Sequence, residues 1–319
     1  MTGRGLALML VFFAFHGAAW AQAPKTYEPP RLADGHPDLQ GVWTRRWITP
    51  LERPNDVSQL VVPADEAAKI FQRVIAQSIG ADPLNPARPD PDAGSLAVVR
   101  GEYRSSLIVD PEDGKLPMTE QGRRRLARGM QAGVDNPEER FLTERCLGGI
   151  GRAPLQLNPE GTLLEIVQPP GQFMMHSEYF DELREYRLGA PRGRVATPGW
   201  KGEGIAWWEG DALIVETTSF RPDDYRRGGV YGNFPIAQNT KVTERFLRVS
   251  ENEIVYSYTV DDPELYTRPW TAELSLTHSS DRLYESACHE GNHSMTNILQ
   301  GGRAQDQRKR GRVAVVDVT

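Results

Sequence analysis

The chain has 319 residues, 39% hydrophobic and 25% charged, a soluble globular balance that excludes a largely disordered or membrane-embedded protein. Its formal charge of −6 argues against a nucleic-acid partner, because the runs "GRRRLAR" and "QRKRGR" are short and offset by carboxylates. Those runs are expected to be solvated helix faces.

Residues 1–21 read as a secretory signal peptide: Arg4 is the positive start, "LALMLVFFAF" the apolar stretch, and Ala19-Trp20-Ala21 a small-x-small cleavage site. Cleavage after Ala21, or alternatively after Ala23, takes the charge to about −7 through loss of Arg4. No later run is long enough for a membrane span, so a periplasmic or secreted protein is expected. Residues 22–319 are read as one domain. Its "PKTYEPPRLADGHPDLQ" start is extended and leads into a strand at "GVWTRRW".

Residues 54–145 are irregular, with helices expected at "PADEAAKIFQRVIAQSI", at "TEQGRRRLARGM" behind Thr119, and at "NPEERFLTER" behind Asn136. Between the first two, "YRSSLIVDPEDGKLP" reads as a strand and turn. A meander occupies 155–290. "TLLEIVQPPGQFMMHSEYFDELREYRL" predicts three strands, "GIAWWEGDALIVETTSF" a hairpin, and the run from Lys241 to His289 four more. Eight or more antiparallel strands joined by tight turns remove their edges by closing into an up-and-down barrel. Residues 294–319 return to helical texture. The fold class expected is mainly β, a decorated barrel with a C-terminal helix.

The "GVW" at 41–43, ahead of an antiparallel meander, resembles the start of lipocalin and wider calycin barrels, which implies that Trp43 plugs one barrel end. Six stretches together resemble a largely uncharacterised family of exported bacterial β-rich proteins. They are "DGHPDLQGVW", "SSLIVDPEDGKLPMTEQG", "WEGDALIVETTSF", "VTERF", "TRPWTAELSL" and "YESACHEGN". That resemblance implies export and a β-rich fold, and no particular reaction. Departures from the family pattern at Ile205, Ala206 and Trp207, and at His176 and His293, imply a more apolar cavity that has gained two imidazoles.

The stretch "ESACHEGNHSM" concentrates the chemistry. Cys146 and Cys288 are the only cysteines, and export favours a disulfide between them; the alternative is Cys288 as a nucleophile beside His289. His289 and His293 have metal-ligand spacing on a helix, but Gly291 and Asn292 favour a turn. A divalent metal, with His176 or Glu178 as third ligand, is therefore the alternative to an acid–base centre without cofactor. For that centre the candidates are His176, Glu178, His289 and His293, with His176 and Glu178 two apart and on one face if the strand runs through both. Tyr179, Arg184 and Tyr231 are candidate donors to substrate, and Trp207 and Phe234 candidate apolar contacts. The Gly-rich loop 221–235 is a candidate lid at the barrel mouth. The function expected is an exported lyase, isomerase or hydrolase acting on a small apolar or aromatic molecule; the alternative is a non-catalytic carrier or sensor of such a ligand.

Overall fold

The computed structural model describes residues 27–45, 47–79, 94–131, 133–149, 151–156, 162–189, 197–229 and 232–316. The expected signal peptide and Tyr231 lie outside them. Strand β1 (Gly41–Thr44) carries the fully buried Trp43, whose indole Nε1 donates to the Leu39 carbonyl at 3.0 Å. The Arg248 guanidinium covers that indole at 5.6 Å.

After β2 (Val61–Val62) comes α1 (Ala64–Ile79), with Asp65 and Glu66 in its first turn, where they complement the helix dipole. Ala67, Ile70 and Val74 recur at helical spacing and bury against Ile48, Val57 and Leu96 in a small satellite core. Strands β3 (Val98–Val99) and β4 (Glu102–Arg104) join β2 in a three-stranded sheet, while β5 (Ile108–Asp110) pairs with the main sheet. Helix α2 (Glu120–Met130) starts as expected: the Thr119 side chain accepts from the Gly122 N–H at 3.0 Å. The third expected helix is only a 3-10 turn, Pro137–Glu139, because Arg140 after it is already extended.

The meander follows as β6 (Leu163–Val167), β7 (Gln172–Ser177), β8 (Glu182–Arg187), β9 (Glu203–Glu209) and β10 (Ala212–Thr218). The expected lid loop is instead a hairpin of β11 (Arg226–Gly229) and β12 (Gly232–Pro235), where Gly228 and Gly232 take left-handed φ values. Strands β13 (Lys241–Ser250), β14 (Glu253–Asp261) and β15 (Trp270–Ser279) finish the sheet, three strands rather than the expected four. Strand β15 stops because its partner does. Val42 of β1 pairs with Ser279, and at Gly41 the backbone turns to φ +125°, leaving nothing for residue 280 to pair with.

The large sheet is antiparallel in the order β8-β7-β6-β1-β15-β14-β13-β10-β9, with β5 beside β15. Alternation sends one set of side chains to one face, where Trp43, Phe173, Phe246, Tyr256, Tyr258 and Trp270 lie in a single core. The two end strands do not form a ladder. They meet at a parallel bridge between Leu188 and Ala206, with Gly189 N–H donating to the Ala206 carbonyl at 3.0 Å. Helix α3 (Ser294–Val316) follows an irregular segment, and the disulfide Cys146–Cys288 ties that segment to the loop after α2. Among the described residues no helix is long and apolar enough to cross a membrane.

Candidate functional site

The structure separates the residues that the sequence grouped. His176 is on β7 but faces away from Phe173, Met175 and Ser177, and its Nε2 lies 2.5 Å from Asp181 Oδ1. Glu178 does not share that strand face as expected: it has helical φ/ψ after β7 has ended and accepts the Tyr284 N–H at 3.2 Å. His289 and His293 are exposed in the turn ahead of α3, not at a strand end. Cys288 is bonded to Cys146 as expected and holds no free thiol. None of the four acid–base candidates lines the cleft described below. Among the described residues no three His, Cys, Asp or Glu side chains are grouped so as to hold a metal ion.

The expected substrate contacts also disperse. Tyr179 is 37% exposed and packs edge-on to Phe180. Trp207 is half-buried with its Nε1 donating to Glu209 at 2.8 Å, while Trp208 turns inward and stacks on His36 at 4.8 Å. Phe234 is fully buried edge-on to Trp270 at 5.0 Å. Its surroundings are packed core, with Tyr258 6.3 Å away.

Arg184 is buried on the inward face of β8 and anchors an ionic network within that core. It donates through both amino groups to the fully buried Glu244, and through Nε to Tyr186 Oη at 2.6 Å. Tyr256 Oη donates to Glu244 at 2.7 Å. Burial alone would lower the Arg184 pKa, but the Glu244 charge beside it holds it above its ordinary value. Burial raises Tyr186, and burial together with the Glu244 charge raises Tyr256 well above the usual phenol range.

This network shapes the loop at 148–156. Glu182, inward on β8, accepts the N–H groups of Gly149 at 2.9 Å and Gly151 at 2.7 Å. Arg184 donates to the Gly151 carbonyl, and Leu155 N–H donates to Tyr256 Oη at 2.8 Å. Glycine is required where the loop presses on β7 and the turn after it. A Cβ on Gly151 would fall 2.7 Å from the Ser177 Cβ, and one on Gly149 would fall 2.8 Å from the Phe180 ring. The residue after Gly151 is Arg152, only 7% exposed.

Arg152 lies at the deep end of a cleft of roughly 530 Å³ between the end of α2, the loop 131–149 and the start of β11. Its Nε donates to the Gly149 carbonyl at 2.9 Å and its Nη1 to the buried Asp224 at 3.1 Å. Arg227 donates to the same Asp224 carboxylate, and to the carbonyls of Ala153 and Trp200. Arg226 lies over the Phe141 ring at 4.2 Å and donates to Gly129 O and Asn233 Oδ1. Burial, and then the Arg227 charge, push the Arg152 pKa down to about 10 against the pull of Asp224 and Glu182. Burial also lowers Arg226. Phe141, Leu142 and Tyr225 add apolar wall.

The 221–235 segment is legible in the sequence, but through Tyr231 and Phe234 rather than through its arginines. Arg152 is not singled out at all. The available signal was the glycine pattern around "GGIGR" beside "DDYRRGG", two arginine-bearing tight segments in a chain otherwise rich in surface charge. No protein-family model matches the chain, and no curated protein matches it significantly.

Proposed function

We propose that this is an exported small-molecule-binding protein, a carrier or sensor, whose ligand occupies the arginine- and aromatic-lined cleft rather than the sheet interior. The observation that carries this reading is the cleft itself: about 530 Å³ of open space with Arg152 and Arg226 at its wall, beside a sheet interior filled by fully buried aromatic rings. Export is supported by the Cys146–Cys288 disulfide, which suits an oxidising compartment. We further read the sheet as a calycin-like barrel whose seam is the β8–β9 contact; the bridge from Leu188 to Ala206 and the buried Trp43 support this.

A second reading keeps the expected acid–base enzyme acting on an apolar or aromatic molecule. It rests on His176, whose ring is oriented by the Asp181 carboxylate in the manner of a general base and its orienting acid. One experiment separates the two. Small aromatic acids, alcohols and amides are titrated calorimetrically into the purified protein and into Gln131→Trp, which places an indole at the cleft rim. Loss of binding in Gln131→Trp, with His176→Ala binding normally, is the outcome expected. Binding insensitive to Gln131→Trp would overturn the cleft assignment. Turnover lost in both His176→Ala and Asp181→Asn would establish the enzyme reading.

A further inference from the structure

The deep end of the cleft is electrostatically unbalanced. Two guanidiniums, Arg152 and Arg227, face the buried carboxylates of Asp224 and Glu182, and a third, Arg226, lines the same cleft with no carboxylate paired to it among the described residues, leaving one positive charge over. Arg125, packed behind, is turned away from the cleft: it donates to the carbonyls of Pro222, Asp224 and Ile236. Exposed Asp135, Glu138 and Glu139 are at the rim, so the negative charge of the lining sits mostly where water screens it. A buried charge without a partner is costly, and chains that keep one usually put it to use.

The donor count agrees. Arg227 commits its donors to Ala153 O, Asp224 and Trp200 O. Arg152 and Arg226 each spend Nε and Nη1 on protein acceptors, and the Nη2 of each has no hydrogen-bond partner among the described residues. Arg152 is more than nine-tenths buried, yet it lines the cleft. Two amino groups facing an open volume, with one net positive charge, match a monoanion. A planar acceptor suits guanidinium donors best.

We propose that the ligand is an organic carboxylate, its carboxyl group seated on Arg152 and Arg226 and its apolar body lying along Phe141, Leu142 and Tyr225. This rests on the cleft being the ligand site. Arg226 has a positioning neighbour in Phe141, under its guanidinium, which keeps the planar group aimed while leaving its outer edge open.

The test uses benzoate, phenylacetate and their neutral amides as probes, titrated into the oxidised full-length protein. Carboxylates should bind and the matching amides should bind about 10- to 100-fold more weakly, the effect of one charge-assisted hydrogen-bonded contact. Arg226→Gln should weaken benzoate by a similar factor and leave benzamide unchanged, with Arg226→Lys intermediate. Arg226 is chosen because the Asp224 ion pairs are made by Arg152 and Arg227, so its substitution leaves them intact. Equal binding of acid and amide, both abolished by Gln131→Trp, would overturn the carboxylate inference and leave the cleft reading standing. No binding of any probe would overturn the carboxylate inference, and binding unaffected by Gln131→Trp would overturn both. Inorganic phosphate displacing benzoate at equal concentration would also overturn it, in favour of a general oxyanion site.

Discussion

Replacing Glu244 by glutamine tests whether the ionic core is what holds the sheet and its loops in register. Glu244 is fully buried and accepts from both amino groups of Arg184 and from Tyr256 Oη. Glutamine keeps the volume and loses the charge, so the Arg184 guanidinium stays in the core without a counter-ion. Breaking a buried pair in this way costs about 3–5 kcal/mol, far above the value of an exposed pair. Arg184→Met/Glu244→Leu removes both charges and should lose clearly less than Arg184→Met and Glu244→Leu, each made singly, added together. A residual loss of about 1–3 kcal/mol is expected there, because Tyr186 Oη and the Gly151 carbonyl lose their donor. Urea titration with the disulfide intact, followed by tryptophan fluorescence, gives the four corners of the cycle. A single-variant loss under about 1 kcal/mol, or strict additivity of the two, would refute the argument.

Three further outcomes are expected. Tyr186, Tyr256 and Tyr266 are held above the ordinary phenol range by burial first, and Tyr258 is pushed up to about 12. A phenol whose folded pKa is raised favours the folded state fully below its unfolded value near 10. That contribution is lost as pH climbs through the folded value, so stability should fall between about pH 10 and 12. Tyrosinate absorbance rising fully near pH 10 in folded protein would count against this. Cys288→Ser should lose roughly 4–5 kcal/mol by the chain-entropy account of a 142-residue loop, read as a lower urea midpoint that reduction of the wild type reproduces. Gly122→Ala should destabilise by about 1–3 kcal/mol, since its new methyl would be driven into the Leu265 carbonyl where α2 meets the loop before β15. An unchanged midpoint would show that α2 shifts freely.

Much of the sheet was legible because its signal is local. Period-two alternation with turns at "PPG", "EGD" and "SEN" placed β6 through β10, β13 and β14, since each strand buries one face. The disulfide was legible because two cysteines have one pairing. The end of β15 was not. It depends on where β1 begins, and Gly41 is 238 positions from Ser279, well beyond any window of the sequence. The histidines near Cys288 therefore looked like a strand end and are an exposed turn. Arg152 was hidden for the same reason: its loop is set by Glu182, which reaches back 31 and 33 positions to Gly151 and Gly149.

That reach makes the core and the cleft parts of one structure. Gly151 is held from both sides, its N–H by Glu182 and its carbonyl by Arg184, and Arg152 is the next residue. Glu182 and Arg184 are two apart on β8 and both face inward, so a shift of that strand moves both anchors together. The outer wall of the cleft is fixed differently. The Cys146–Cys288 bond and the Asn292 side chain, which donates toward Glu144 O and Cys146 Sγ, tie it to the segment before α3. Loosening either side should weaken ligand binding, but in distinguishable ways. Glu244→Gln loosens Arg184, which holds the Gly151 carbonyl next to Arg152, and so should narrow the proposed preference for a carboxylate over its amide. Cys288→Ser loosens the wall that carries Phe141 and Leu142, and so should weaken acid and amide alike. Equal loss of acid and amide in Glu244→Gln would mean that the network serves only stability and does not aim Arg152.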